Sequence, residues 1–310
     1  MEIKFIFKWY FDYSCILECL TGSCVFKCEK VQNYISNDDK SMTREKENLQ
    51  SYTWMYTEET PGQNEWDIIY KTCSSNYQSP VDIDTDTTFK SERIKCIRFI
   101  NFDFLLREPR LLNNGRTVEI KCSNKRSFAI KEGGLDDTFL FRQLHFHWGI
   151  SDSDGSEHRI NGIQFPLETH LVFESLKNTT NGGKTLAVLA IFFKISAEKN
   201  VILDPIFRTL TKIRNVEDEE PILSKLRLRD LLPRNTKKYF RYEGSLTTPP
   251  CTEGVVWTVF SETLSLSKEQ MEKFRQLHLI GQTSHNLSFN HRPVQKLNNR
   301  IILESKSISN

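Results

Sequence analysis

Six short apolar runs constrain this chain more than any other feature. From about Ser51 onward, "RIKCIRFINF", "TVEIKC", "FLFRQLHFHW", "THLVFES", "TLAVLAIFFKI" and "GVVWTVF" alternate with turn signals. They are rich in Val, Ile and Phe and too short for helices, so the pattern predicts a strand-dominated domain. "SKEQMEKFRQL" is the exception: Ser267 and Gln270 make a capping box, and Met271, Phe274 and Leu277 form a helical stripe. Nothing on that helix suggests chemistry. The 310 residues suffice for one large domain or two small ones, and 38% hydrophobic content allows a sizeable core.

The first fifty residues differ. Met1 to Lys30 is aromatic and carries Cys15, Cys19, Cys24 and Cys28. An early Lys4 and apolar patches hint at a secretory signal, while Lys8, Asp12 and Glu18 break the apolar region such a signal needs. The cysteines lack the C-x2-C pairs usual in zinc modules. Glu29 to Gln50 is polar and charge-mixed, which predicts a linker. We therefore divide the chain into an N-terminal extension, residues 1–50, and a folded domain, residues 51–306. A net charge of +2 with no basic stripe argues against nucleic acid as a partner. No apolar stretch reaches the roughly 18 residues of a membrane span. There is no internal repeat.

"FRQLHFHWG" places His145 and His147 one residue apart. In a strand, alternate side chains share a face about 6.6 Å apart. Gln143, His145 and His147 then point one way, and Leu144, Phe146 and Trp148 the other. Two imidazoles on one face can converge on a cation, although a lone H-x-H reads equally well as two satisfied core histidines. "PLETHLVFES" adds Glu168, His170 and Val172 on one face. With a loop of about ten to fifteen residues between them, the two strands pair as antiparallel neighbours. His170 then lies opposite the other two histidines, as a catalytic zinc site with three ligands requires. Gln143 and Glu168 each precede a histidine by two and can accept its second N–H. Five polar residues on one inner face are hard to explain as core filling.

"QLHFHWG", "GSEHRINGIQFPLETHLV" and "GSLTTPPC" resemble the α-class carbonic anhydrases. The similarity runs from "YTWMY" through "YQSPVDI" and "LLNNG" to "NHRPVQKLNNR", roughly 250 residues in the family's order. The fold it implies is mainly β with mixed α/β character: one large, twisted, mostly antiparallel central sheet with a few short peripheral helices. The resemblance implies Zn2+ on His145, His147 and His170, and reversible hydration of carbon dioxide to bicarbonate by zinc-bound hydroxide. Thr247 matches the threonine that aims the hydroxide and Glu157 its carboxylate partner. An ionised carboxylate only accepts, so the Thr247 hydroxyl would donate to it and accept from the hydroxide. The backbone carbonyl of Asn290 matches an acceptor for a ligand histidine. Val172, Val188, Leu246, Val255 and Trp257 match the apolar substrate pocket, with Thr248 beside them. Each would also suit an ordinary core. His158 reads as a buried structural histidine. Tyr56 and Asn114 match positions that order cavity water, and sulfonamide-type inhibitors are expected to bind the metal.

One departure stands out. Fast members carry a proton-relaying histidine after "NNG", where this chain has Arg116. Arginine does not deprotonate in a protein. Carbonic anhydrase is itself the reference for a zinc water of pKa about 7 and a turnover of ~10^6 per second. Reprotonation at about 10^10 per molar per second then caps proton loss to bulk water near ~10^3 per second. The expectation is an active, buffer-dependent enzyme, with Glu119 as one substitute relay or merely a surface charge. Arg116 itself could instead lie on the cavity rim and favour bicarbonate or other anions electrostatically. Cys73 and Cys251 fall where extracellular members form a disulfide, which implies an oxidising compartment. The Asn178 and Asn286 sequons fit secretion, while the poor leader leaves a cytoplasmic location open. Cys96 and Cys122 either pair or stay as buried thiols. The rival readings are a weakly catalytic binding module and a zinc hydrolase of another fold.

Overall fold

The computed structural model describes residues 54–56, 63–177, 186–281 and 288–306, and the backbone of three N-terminal strands. Those strands, Ile6–Lys8, Tyr13–Leu20 and Ser23–Lys30, form an antiparallel three-stranded sheet. They belong to a compact unit spanning Met1–Ser51, separate from the unit Tyr52–Asn310. Of the linker expected over residues 29–50, residues 31–50 lie outside the described residues. So do Asn178 and Asn286.

The second unit is built on a 13-stranded sheet. Its main path runs Glu219–Pro221, Arg110–Asn113, Val118–Lys121, Phe139–Trp148, Leu167–Ser175, Leu186–Ser196, Glu253–Phe260, Tyr239–Ser245, Leu303–Ser305 and Phe89–Ser91. Most neighbours are antiparallel. The exceptions are Leu186–Ser196 against both Glu253–Phe260 and Leu264–Ser267, and Leu303–Ser305 against Phe89–Ser91. The mainly β architecture expected from the motifs, one large and mostly antiparallel sheet with a few short helices, is the one present.

The central strands owe their apolar character to burial on both faces. In Leu186–Ser196, Ala187, Leu189, Ile191 and Phe193 enter the larger core cluster, whereas Val188, Ala190 and Phe192 enter a second cluster across the sheet. The helix Lys268–Arg275 starts at the anticipated Ser267–Gln270 capping box and packs Met271 and Phe274 into the larger core. Leu277 is buried just beyond the helix end.

Two expectations need correction. Residues 149–166 connect the two histidine strands, a longer loop than the ten to fifteen residues anticipated, because it folds back to carry Glu157 and His158 inward. Cys96 and Cys122 do not pair: both are free, and Cys96 is exposed rather than buried. The Phe139–Trp148 strand also contains a bulge between Phe141 and Gln143. Phe141 therefore points into the larger core although it shares sequence parity with His145. Alternation runs cleanly only from Gln143 onward.

Candidate metal centre

His145 pairs directly with His170 across the antiparallel strands, in the register anticipated from parity. Leu144, Phe146 and Trp148 go to the larger core on the opposite face. The three rings His145, His147 and His170 lie 4.6 to 5.2 Å apart, centroid to centroid. One nitrogen from each falls within 4.8 Å of the others.

Which nitrogen faces the centre follows from the outer hydrogen bonds. His147 Nδ1 lies 2.8 Å from the Asn290 backbone oxygen, which can only accept, so Nδ1 carries the proton and Nε2 keeps its lone pair. That Nε2 is buried with no hydrogen-bond partner. His145 Nδ1 is 2.9 Å from Gln143 Oε1, which likewise leaves Nε2 bare. His170 is reversed: its Nε2 is 2.6 Å from Glu168 Oε1, leaving Nδ1 bare. Three neutral imidazoles thus present three lone pairs to one point, a donor set that suits zinc. Burial drives all three pKa values down, and a proton on His170 would further oppose protonation of its two partners. Neutrality is the state a metal ligand needs.

His158 cannot join them. Its Nδ1 bonds Glu168 Oε1 at 2.7 Å and its Nε2 meets the Tyr242 hydroxyl at 2.6 Å, so both nitrogens are committed. Glu168 gathers the loop: its Oε2 also accepts the backbone N–H groups of Glu157 and His158, both at 2.9 Å. Burial works to raise its pKa, but the interactions with His158 and His170, including a hydrogen bond from each ring, outweigh burial and hold it well below the usual carboxylate range.

Glu157 is fully buried and receives the Arg292 backbone N–H on Oε1 at 3.0 Å. Burial and the neighbouring Glu168 push its pKa up, against the Thr247 hydroxyl and Arg292. A divalent cation held by the imidazoles would act in the opposite direction and favour the ionised carboxylate. Thr247 is buried in the turn between Tyr239–Ser245 and Glu253–Phe260. Thr248 belongs to the same turn and accepts the Cys251 N–H at 2.8 Å through its backbone oxygen. A Cys73–Cys251 disulfide ties this turn to the segment before Ser79.

Val172, Val188 and Trp257 stand in one cross-strand row, and Val255 and Leu246 join the same cluster. Trp257 also packs against His170 at 4.8 Å between ring centroids, so this apolar wall adjoins the triad.

The Arg116 turn is fastened to the metal strand. Asn114 Oδ1 accepts the N–H groups of Arg116 and Thr117, and Asn290 Nδ2 donates to the Arg116 carbonyl at 3.0 Å. The Asn114 carbonyl thus shapes the turn. The Arg116 guanidinium lies 4.6 Å over the Trp54 ring. Glu119 is the direct cross-strand neighbour of His145, closer to the centre than a surface charge would be, and burial raises its pKa. Tyr56 packs against Trp54 and Trp66, within the electrostatic reach of both Glu157 and Arg116.

Two contributors had no sequence signal. Arg292 donates to Gln78 Oε1 at 3.0 Å, Ser79 O at 2.8 Å and Cys73 O at 3.1 Å, joining Glu157 to the disulfide. Tyr242 locks His158 and also bonds Ser79 Oγ at 2.8 Å. Arg292 sits in the recognised "NHRPVQKLNNR" and Tyr242 two residues before "GSLTTPPC", but the partners of both are distant in sequence.

Residues 61–306 match the family model for the eukaryotic-type carbonic anhydrase. A "Putative carbonic anhydrase 3" of Caenorhabditis elegans is 35% identical over 252 residues, 81% of this chain and 96% of that protein. Human "Carbonic anhydrase 6" is 30% identical over 257 residues, 80% of this chain and 82% of that protein. Human "Receptor-type tyrosine-protein phosphatase zeta" is 31% identical over 278 residues, 87% of this chain but 12% of that protein. The match spans the sheet that aligns the histidines as well as the loops that orient them, and the chain accordingly belongs to the eukaryotic-type carbonic anhydrase family.

Proposed function

We propose that this enzyme holds zinc on His145 Nε2, His147 Nε2 and His170 Nδ1 and hydrates carbon dioxide reversibly to bicarbonate and a proton. The general activity comes with the family. The observation that carries the specific reading is the outer hydrogen-bond set, which leaves three neutral lone pairs converging and His147 Nε2 buried with no other partner.

Zinc bound by three neutral imidazoles supplies a strong nucleophile from water near neutral pH, as carbonic anhydrases themselves exemplify. The chain's residues do the rest. Glu157 accepts a hydrogen bond from the Thr247 hydroxyl, which leaves a Thr247 lone pair to hold the nucleophile's proton away from substrate. Val172, Val188, Leu246, Val255 and Trp257 give the apolar gas a dry wall, with Thr248 at its edge. Gln143, Glu168 and the Asn290 carbonyl fix ring tautomer and direction. Arg116 cannot relay protons, so release of the product proton depends on external buffer. Sulfonamide-type anions that coordinate zinc are the expected inhibitors.

The Cys73–Cys251 disulfide supports a secreted protein, since such bonds persist in oxidising compartments. Modification of Asn178 and Asn286 would accompany that location. No helix among the described residues is long and apolar enough to cross a membrane.

Stopped-flow carbon dioxide hydration on metal-quantified protein, over a series of buffer concentrations, tests the reading. The expected result is one zinc per chain and a turnover that climbs with buffer. Zinc-loaded protein without hydration would make this a binding module instead.

A further inference from the structure

Outside the metal centre, a cleft of about 520 Å³ is lined by Arg93, Arg241 and Arg300, with Arg300 stacked 5.5 Å over the Tyr242 ring. Arg241 lies on Tyr239–Ser245, flanked by Thr258 on one neighbouring strand and Leu303 on the other. Its strand neighbours Phe240 and Tyr242 belong to the cluster beside the metal centre, so Arg241 points away from it.

Arg241 is 5% exposed. Its Nε donates to Thr258 Oγ1 at 3.0 Å, its guanidinium sits 5.5 Å over the Tyr239 ring, and its Nη2 is buried with no hydrogen-bond partner. A guanidinium stays charged, and leaving it buried and incompletely paired is costly. Arg300 gives its three nitrogens to the carbonyls of Leu297, Glu243 and Lys296. Carbonyl dipoles hold that side chain in place without cancelling its charge. Against the three guanidiniums the lining sets one carboxylate, Glu243, and Glu253 lies within electrostatic reach of Arg300, which still leaves positive charge in excess. The rest of the lining is largely apolar, including Ile94, Ile301 and Leu303, and Tyr77 adds a half-exposed ring.

A built-in excess of positive charge beside an apolar wall recognises an anion with an apolar body. We propose that this cleft binds an organic oxyanion, a phosphate or sulfate monoester, at a site separate from the carbon dioxide centre. Planar guanidiniums match such tetrahedral anions, and the cleft is far larger than a bare phosphate ion needs.

Calorimetric titration of the zinc-loaded protein with phenyl phosphate and, separately, with inorganic phosphate tests this at fixed ionic strength. Saturable binding of phenyl phosphate is expected, tighter than that of inorganic phosphate. Arg241→Met should weaken it about tenfold. Ile301→Glu, which puts a like charge at an exposed lining position, should weaken it by about fivefold or more while carbon dioxide hydration stays at the wild-type level. If Arg241→Met does not fold, Ile301→Glu decides alone. No saturable binding by the wild type overturns the proposal, as does wild-type affinity in Ile301→Glu, because binding at the zinc centre would survive that change. Equal affinity for inorganic phosphate overturns the assignment to an ester.

Discussion

The two faces of the Phe139–Trp148 strand invite direct comparison. One carries Gln143, His145 and His147, and the other Leu144, Phe146 and Trp148, drawn from the same six consecutive residues. Both faces are largely buried, yet one is built from hydrogen bonds and the other from packing. On the polar face every histidine is held by an acceptor outside the metal centre, and Glu168 and Asn290 are held in turn by further hydrogen bonds, so position depends on partners. On the apolar face position depends on volume, with Phe146 and Trp148 packed against Phe274 at centroid distances of 5.2 and 5.3 Å. A fold can therefore lose function from one face and stability from the other, almost independently.

The sharpest way to break this comparison is to truncate one residue on each face. His145→Ala should abolish stoichiometric zinc binding and reduce hydration to background while the protein stays folded. Phe146→Ala should cost about 3–5 kcal/mol of stability, measured by denaturant unfolding, yet retain zinc below its transition. Turnover surviving in the first variant, or metal lost from the folded second one, would end the division of labour.

Smaller effects sharpen the polar side. Thr247→Val should lower kcat/KM on the order of 10^2-fold with zinc content unchanged, because only orientation is removed. Glu168→Gln should weaken zinc binding about 10- to 100-fold in competition with a chelator. It should also change acid stability. The Glu168 pKa is depressed in the fold, so its contribution is present above the unfolded carboxylate value of about 4.3 and is lost as pH falls through the folded one. The stability gap between wild type and Glu168→Gln should therefore narrow as acid is added below that point. A constant gap would show that the carboxylate acts by shape alone.

Arg116→His should raise hydration about tenfold in weak buffer and flatten its dependence on buffer concentration. If turnover does not change, Glu119, directly opposite His145, is the relay, and Glu119→Gln should then slow the enzyme in weak buffer. The mildest test concerns thiols. Burial pushes Cys122 up to about 11, so in native protein it should resist iodoacetamide, whereas exposed Cys96 should be alkylated, as peptide mass spectrometry would report.

Much of the polar face was legible because a strand repeats every two residues. From Gln143 to Trp148 the parity holds, and the "ETH" spacing put Glu168 on the face of His170. The same rule fails two residues earlier. Phe141 shares parity with His145 but lies in the core, because the bulge beside Gln143 flips the alternation, and an inserted residue leaves no mark in a pattern of apolar letters. Arg292, Tyr242 and the Arg241 cleft were illegible for a different reason. Their partners are more than a dozen residues away, and no local spacing records a contact of that kind.

The sequence by itself determined what depends on neighbours along the chain: strand character, the face each histidine takes, the helix cap at Ser267, and the replacement at Arg116. Tertiary structure alone decided which nitrogen of each imidazole is left bare, which partners occupy His158, and that an arginine lies half-paired beneath the opposite face. Those outcomes depend on which acceptor happens to stand within about 3 Å, and that is settled only when strands far apart in sequence are brought side by side.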